Sequence, residues 1–193
     1  MPAMRRNRIV PAALAALVLA VAGVLVAIAG SAAKPSASQV LFRKTLLADA
    51  KTTVAIKRLL RDRGGFVARD IEFADLTGDE RSDAVVLVDT GGAGGAVALY
   101  VFSTDGRNED SPLRAVYRSQ QLYRASVKIA DATLIIAAPR YGEGDDLCCP
   151  ANIVERVYSW SDSAKTLQLR STQELPGPTG ATTTPTTTTT SAG

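Results

Sequence analysis

Both cysteines of the chain lie side by side in Gly144-Asp145-Asp146-Leu147-Cys148-Cys149-Pro150. Adjacent Cα atoms are ~3.8 Å apart across a trans peptide, whereas disulfides prefer ~4.4–6.8 Å. A Cys148–Cys149 bridge therefore needs a distorted turn, because neighbouring side chains of a strand point to opposite faces. Gly142, Gly144 and Pro150 supply that turn. A structural vicinal disulfide is the favoured reading. Two unbonded thiols, a redox-active or ligand-contacting bridge, and an intermolecular bond are the alternatives. Tyr141, Glu143, Asp145 and Asp146 surround the pair. An aromatic ring beside carboxylates can stack on and hydrogen-bond a sugar, so these four are the candidate ligand contacts.

The second chemical constellation is Asp75-Leu76-Thr77-Gly78-Asp79-Glu80-Arg81-Ser82-Asp83. Oxygens of Asp75, Thr77, Asp79 and Asp83 fall at the first, third, fifth and ninth positions, a spacing that suits a hard cation such as calcium. The same residues suit a strand-to-strand turn capped by the Asp75 and Asp79 side chains, and this is the favoured reading. Calcium is the one cofactor the sequence suggests. Gly91-Gly92-Ala93-Gly94-Gly95 is not a phosphate loop, because no Lys-Ser/Thr pair closes it and no helix follows. It reads as a hairpin connection.

The chain contains no histidine. That removes Ser-His-Asp and Cys-His catalysis, the usual general base near neutral pH and the commonest zinc ligand.

These stretches must be carried by a framework, and the sequence divides into four zones. Residues 1–33 read as an export signal or signal anchor: Arg5, Arg6 and Arg8 precede an uncharged apolar run from Ile9 to Ala29. The run is long for a cleaved signal and suits a retained membrane anchor, basic end inside; Ser31-Ala32-Ala33 offers a cleavage site near Ala33. Residues 34–175 form a single α+β extracytoplasmic domain. Its helical zone spans 38–63, with Ser38 and then Thr52 or Thr53 as N-caps. Val40, Leu41, Leu46 and Leu47 make one apolar face, Val54, Ala55, Leu59 and Leu60 the next, and Gly64-Gly65 the stop.

From 66 to 174 the apolar period changes to two. Segments at Val67–Phe73, 84–88, 96–102, 113–118, 123–129, 133–137, 153–160 and 167–172 recur with turn signals between them. No helix-length pattern intervenes. The expected fold class is α+β, with the N-terminal helices packed on an antiparallel, meander-like β-sheet. Residues 176–193 are Thr/Pro-rich, without charge, and read as a disordered tail or glycosylated spacer.

The net charge of +3 resides in the three N-terminal arginines. Residues 34–63 hold Lys34, Arg43, Lys44, Lys51, Lys57, Arg58, Arg61 and Arg63 against Asp49 and Asp62, a balance of +6, and residues 64–174 carry −6. A basic helical segment beside an acidic sheet is the plain reading; contact with anionic headgroups or wall polymer is the sharper one. Nucleic acid is not an expected partner, since the exported part is neutral as a whole.

The turn leading into Cys148-Cys149-Pro150, with the apolar stretch ending at Tyr158-Ser159-Trp160, resembles the actinobacterial LppP/LprE lipoproteins. That resemblance implies a cell-envelope protein of no assigned activity. The lipid-bearing cysteine is missing here, so lipoprotein anchoring does not carry over. The 75–83 loop resembles a single FG-GAP/VCBS-type calcium loop, with Thr77 as a weaker ligand and Glu80 where those loops have glycine.

The function expected is a non-enzymatic envelope or secreted module that binds a wall polymer, small ligand or partner protein. The rivals are a carboxylate enzyme on wall glycan using Glu143, Asp145 and Asp146, and a thiol-redox protein using the vicinal pair.

Overall fold

The computed structural model describes residues 34–103 and 113–178. The export segment at 1–33 and the tail from 179 onward lie outside the described residues. The chain divides into two units, Met1–Lys34 and Pro35–Gly193, and every element below belongs to the second.

Two helices come first, α1 (Ala37–Ala48) and α2 (Val54–Asp62). The N-cap of α1 is Ser36, not Ser38: its hydroxyl accepts from the Gln39 amide while the Gln39 side chain accepts from the Ser36 amide. This reciprocal box satisfies two amides that the helix leaves free. Gln39 then donates Nε2 to the Val67 carbonyl at 2.6 Å. Thr53 caps α2. The α2 end closes on itself through Gly65 N to Leu59 O, with Gly64 at φ +72°.

Nine strands follow among the described residues: β1 (Phe66–Val67), β2 (Glu72–Ala74), β3 (Asp83–Asp89), β4 (Ala96–Ser103), β5 (Arg114–Ser119), β6 (Ser126–Ala130), β7 (Thr133–Arg140), β8 (Asn152–Ser161) and β9 (Thr166–Pro176). All pairings are antiparallel. The expected single sheet is instead two. One has the order β1-β3-β4-β5 with β2 also on β3, and the other the order β6-β7-β8-β9. The break follows β5: Leu122, Arg124 and Ala125 donate amides to Val97, Gly94 and Ala96 at the start of β4, which carries the chain away from the first ladder.

The central strands β3 and β4 of the first sheet are buried on both faces. Ala84, Val86, Val88, Ala98, Tyr100 and Phe102 share a core cluster with Phe42, Leu46, Ile56 and Leu60 of the helices. Phe42 and Phe102 rings lie 5.2 Å apart. The alternate residues Val85, Leu99, Val101 and Val116 join Leu134, Ile136 and Leu167 of the second sheet. Double burial is why β3 and β4 read as continuous apolar runs rather than alternating ones. On α1 the buried face is Gln39, Phe42 and Leu46. Val40 and Leu41, expected inside, are exposed; so is Val54 on α2, where Ile56 and Leu60 are the buried pair.

The helix connection is fastened to the first sheet by polar side chains. Gln120 accepts from the Thr53 amide and the Tyr100 hydroxyl and donates to the Lys51 carbonyl. Arg118 pairs with Asp49 at 3.1 Å. Burial alone raises the Asp49 carboxyl, but the Lys51 amide and the Arg118 guanidinium outweigh it and hold the group below its ordinary range.

Candidate functional site

Strands β7 and β8 are paired up to Arg140↔Asn152. Residues 141–151 therefore form an excursion whose two ends are fixed side by side. Asp145 closes its base: Oδ2 accepts from the Gly142 and Ala151 amides, each at 2.7 Å. These two backbone donors hold the Asp145 carboxyl below the usual range. Gly144 takes φ +85°, a region open to glycine. Cys149 N donates to Asp146 O at 2.9 Å, which folds Asp146-Leu147-Cys148-Cys149 into a tight turn.

Cys148 and Cys149 are disulfide-bonded to each other, with Cα atoms 3.8 Å apart. Cys148 is exposed, Cys149 is half-buried and Pro150 is buried. The bridge thus forms part of the outer surface, rooted on the inside by the proline. Gly177, just past β9, donates to the Ala151 carbonyl at 2.8 Å. A Cβ at Gly177 would run into the Pro150 carbonyl, so this approach requires glycine.

Two residues outside the excursion complete the site. The Leu147 carbonyl accepts from Arg124 Nη1 and from the Tyr141 hydroxyl, and Arg124 also donates to Tyr141 Oη at 2.8 Å. Tyr123 meets Tyr141 edge-on, with centroids 5.9 Å apart. Tyr123 and Leu147 are 40% and 57% exposed. The result is an apolar surface of exposed Leu147, Cys148 and Tyr123 with half-buried Cys149 and Tyr141, beside the exposed acids Glu143 and Asp146. The sequence placed Tyr141, Glu143, Asp145 and Asp146 here. Tyr123 and Arg124 were missed, since they lie at the entry to β6 and carry no local signal. Of the three acids, Asp145 has one oxygen engaged by two amides and acts as a staple of the turn.

The 75–83 loop lies elsewhere, between β2 and β3, closed by the pair Ala74↔Asp83. Asp75 Oδ1 accepts from the Gly78 and Asp79 amides and Oδ2 from the Glu80 amide. Asp79 accepts from the Arg81 amide. Asp83 is fully buried and takes the Leu76 and Thr77 amides at 2.8 and 2.9 Å, with the Thr77 hydroxyl at 3.5 Å. Three carboxylates thus face backbone donors of their own loop, the geometry of a capped turn. Among the described residues no three His, Cys, Asp or Glu side chains are grouped to hold a metal ion. Glu80, at the position marked by its non-glycine identity, has φ +65°.

No helix among the described residues is long and apolar enough to cross a membrane; residues 9–29 are not among them. Compared with protein-family models, curated proteins and solved structures, the chain matches none of them.

Proposed function

We propose that the protein is a non-enzymatic module of the cell envelope that presents the turn at 141–150, with Tyr123, to a wall glycan. The observation that carries this is the pairing of exposed Tyr123 with half-buried Tyr141 beside a turn whose backbone is fixed in advance. Arg124 and the Tyr141 hydroxyl converge on one carbonyl, Asp145 closes the base, and the disulfide joins the tip. A ligand that docks there need not order the loop, so less of its contact free energy is lost to entropy. Sugar rings present C–H faces to aromatic side chains and hydroxyls to Glu143 and Asp146.

The export segment at 9–29 supports delivery to the outer side of the membrane, as a retained anchor or after cleavage near Ala33. The resemblance around Cys148-Cys149-Pro150 to LppP/LprE envelope proteins supports the same address. Oxidising surroundings there favour a bonded cysteine pair.

The test is titration of the purified chain with soluble oligosaccharides from a wall digest, followed by calorimetry. Binding that Tyr123→Ala and Asp146→Ala both weaken, with melting unchanged, supports the site. Binding that neither substitution alters, or no binding at all, rejects it.

A further inference from the structure

The outward face of α1 is apolar. Positions i, i+3, i+4, i+7 and i+11 of a helix share one side; in α1 these are Ala37, Val40, Leu41, Lys44 and Ala48. The side facing the core carries Phe42 and Leu46. Val40 and Leu41 are 53% and 50% exposed, and on α2 Val54 is 64% exposed, one turn ahead of Arg58. Aliphatic residues at this exposure are ordinary singly; here Val40 and Leu41 adjoin on one side of α1, and Val54 is exposed on the next helix.

Exposed cations accompany these aliphatic residues on the same two helices and their ends. Lys44, Lys51, Arg58, Arg61 and Arg63 are exposed, and none of their side chains makes an ion pair among the described residues. Asp62 is the one exposed acid of the helical zone, because Asp49 is committed to Arg118.

We infer that the outward faces of α1 and α2 dock on the anionic surface of a lipid bilayer. Aliphatic side chains set among lysines and arginines are the composition of interfacial helices: the apolar groups enter the headgroup boundary while the long basic stems reach up to phosphate. A soluble polyanion would engage the cations and leave Val40, Leu41 and Val54 in water. A protein groove would take the aliphatic groups and gain nothing from unpaired charge around them. Chain length adds a second argument, which rests on residues 9–29 staying in the membrane. Eight residue steps separate Ala29 from Ala37, a reach of at most ~29 Å at ~3.6 Å per residue. A bilayer that holds residues 9–29 keeps α1 within that distance of its surface.

The test uses the full-length chain carrying Val40→Trp, presented to vesicles of brominated phosphatidylglycerol and, in parallel, brominated phosphatidylcholine. The unsubstituted chain, with Trp160 alone, sets the background. Docking predicts bromine quenching above that background in phosphatidylglycerol, weaker in phosphatidylcholine and weakened by salt. Adding Lys44→Glu or Arg58→Glu should lower the docked-to-undocked ratio about fivefold or more for each charge removed, with melting unchanged. Quenching no greater than background in phosphatidylglycerol overturns the inference, whether or not the chain stays with the vesicles. Shielding from aqueous iodide without bromine quenching also overturns it, and assigns the face to a second copy or another protein. Flotation after carbonate washing reports separately whether residues 9–29 hold the chain, so failure of the anchor and failure of docking give different results.

Discussion

Replacing Asp83 separates a carboxylate that serves as a hydrogen-bond acceptor from one that serves as a charge. Its side chain is fully buried. Burial pushes the carboxyl up, and the Ser103 hydroxyl and the Leu76 and Thr77 amides pull it only partly back. Asp83→Ala leaves the Leu76 and Thr77 amides without their acceptor. At ~1–3 kcal/mol for each unsatisfied donor, the loss is about 2–5 kcal/mol, with the part-buried Thr77 amide at the lower end. Asp83→Asn behaves differently. Its oxygen can occupy the Oδ2 position and accept both amides, and its amino group can donate to the Thr77 and Ser103 hydroxyls, each of which can accept. Its cost should stay within about 1 kcal/mol at neutral pH, because the substitution also removes a buried charge. The pH dependence has a definite sign. A carboxyl raised in the fold binds more protons there than in the unfolded chain. Its contribution is complete below the unfolded value and is lost as pH rises through the folded one. The cost of Asp83→Asn relative to the wild type should therefore grow as pH falls through the raised folded value and level off once the ordinary aspartate range is reached. Urea unfolding of the full-length chain in detergent, followed by Trp160 fluorescence, measures all three quantities. Asp83→Asn as damaging as Asp83→Ala at pH 7 would refute the acceptor argument. So would wild-type stabilisation by millimolar calcium that Asp83→Asn abolishes, since a ligand bound to the native state alone raises its stability.

Three further outcomes follow from the same geometry. The Asp145 carboxyl is lowered in the fold, so its contribution is present above the ordinary aspartate range and lost as pH falls through the folded value; protection of the Gly142 and Ala151 amides, taken relative to their intrinsic exchange rates at each pH, should fall on acidification, and unchanged protection would contradict the staple. Glu80→Gly should stabilise the chain by up to about 1 kcal/mol, the left-handed penalty of ~1–2 kcal/mol less the entropy of glycine; a lower melting temperature would show that the Glu80 side chain is needed. Phe102→Ala, at a 1%-exposed position with its ring tilted against Phe42, should cost about 3–5 kcal/mol in urea unfolding, and a loss below 1 kcal/mol would mean that the helices do not share that core.

Strand positions were legible because a half-buried strand writes its burial as alternation and a strand buried on both faces as a short continuous apolar run, as at 96–102; Val67, the 96–102 run and the 153–160 run all fall in strands. The helix faces were not. Both sides of α1 carry aliphatic residues, so Val40-Leu41 competes with Phe42 and Leu46 for the core, and periodicity alone cannot choose. Phe42 is decided by its partner Phe102, sixty residues away in the chain. The N-cap went to Ser36 rather than Ser38 because only Ser36 stands three residues before Gln39.

By itself the sequence determined the local items: an apolar segment at 9–29, turns at 75–83 and 141–150, a glycine stop after Arg63, and two cysteines with no other cysteine to join. Each is fixed by residues within a few positions of one another. Tertiary structure alone decided that the meander splits into two sheets, that Asp83 is buried while Asp75 caps the loop, and that Tyr123 and Arg124 complete the cysteine turn. Those outcomes depend on contacts between distant segments, and such contacts leave no period or spacing in the chain: Arg124 finds Leu147 only because β7 folds back on β6 and brings its far end alongside.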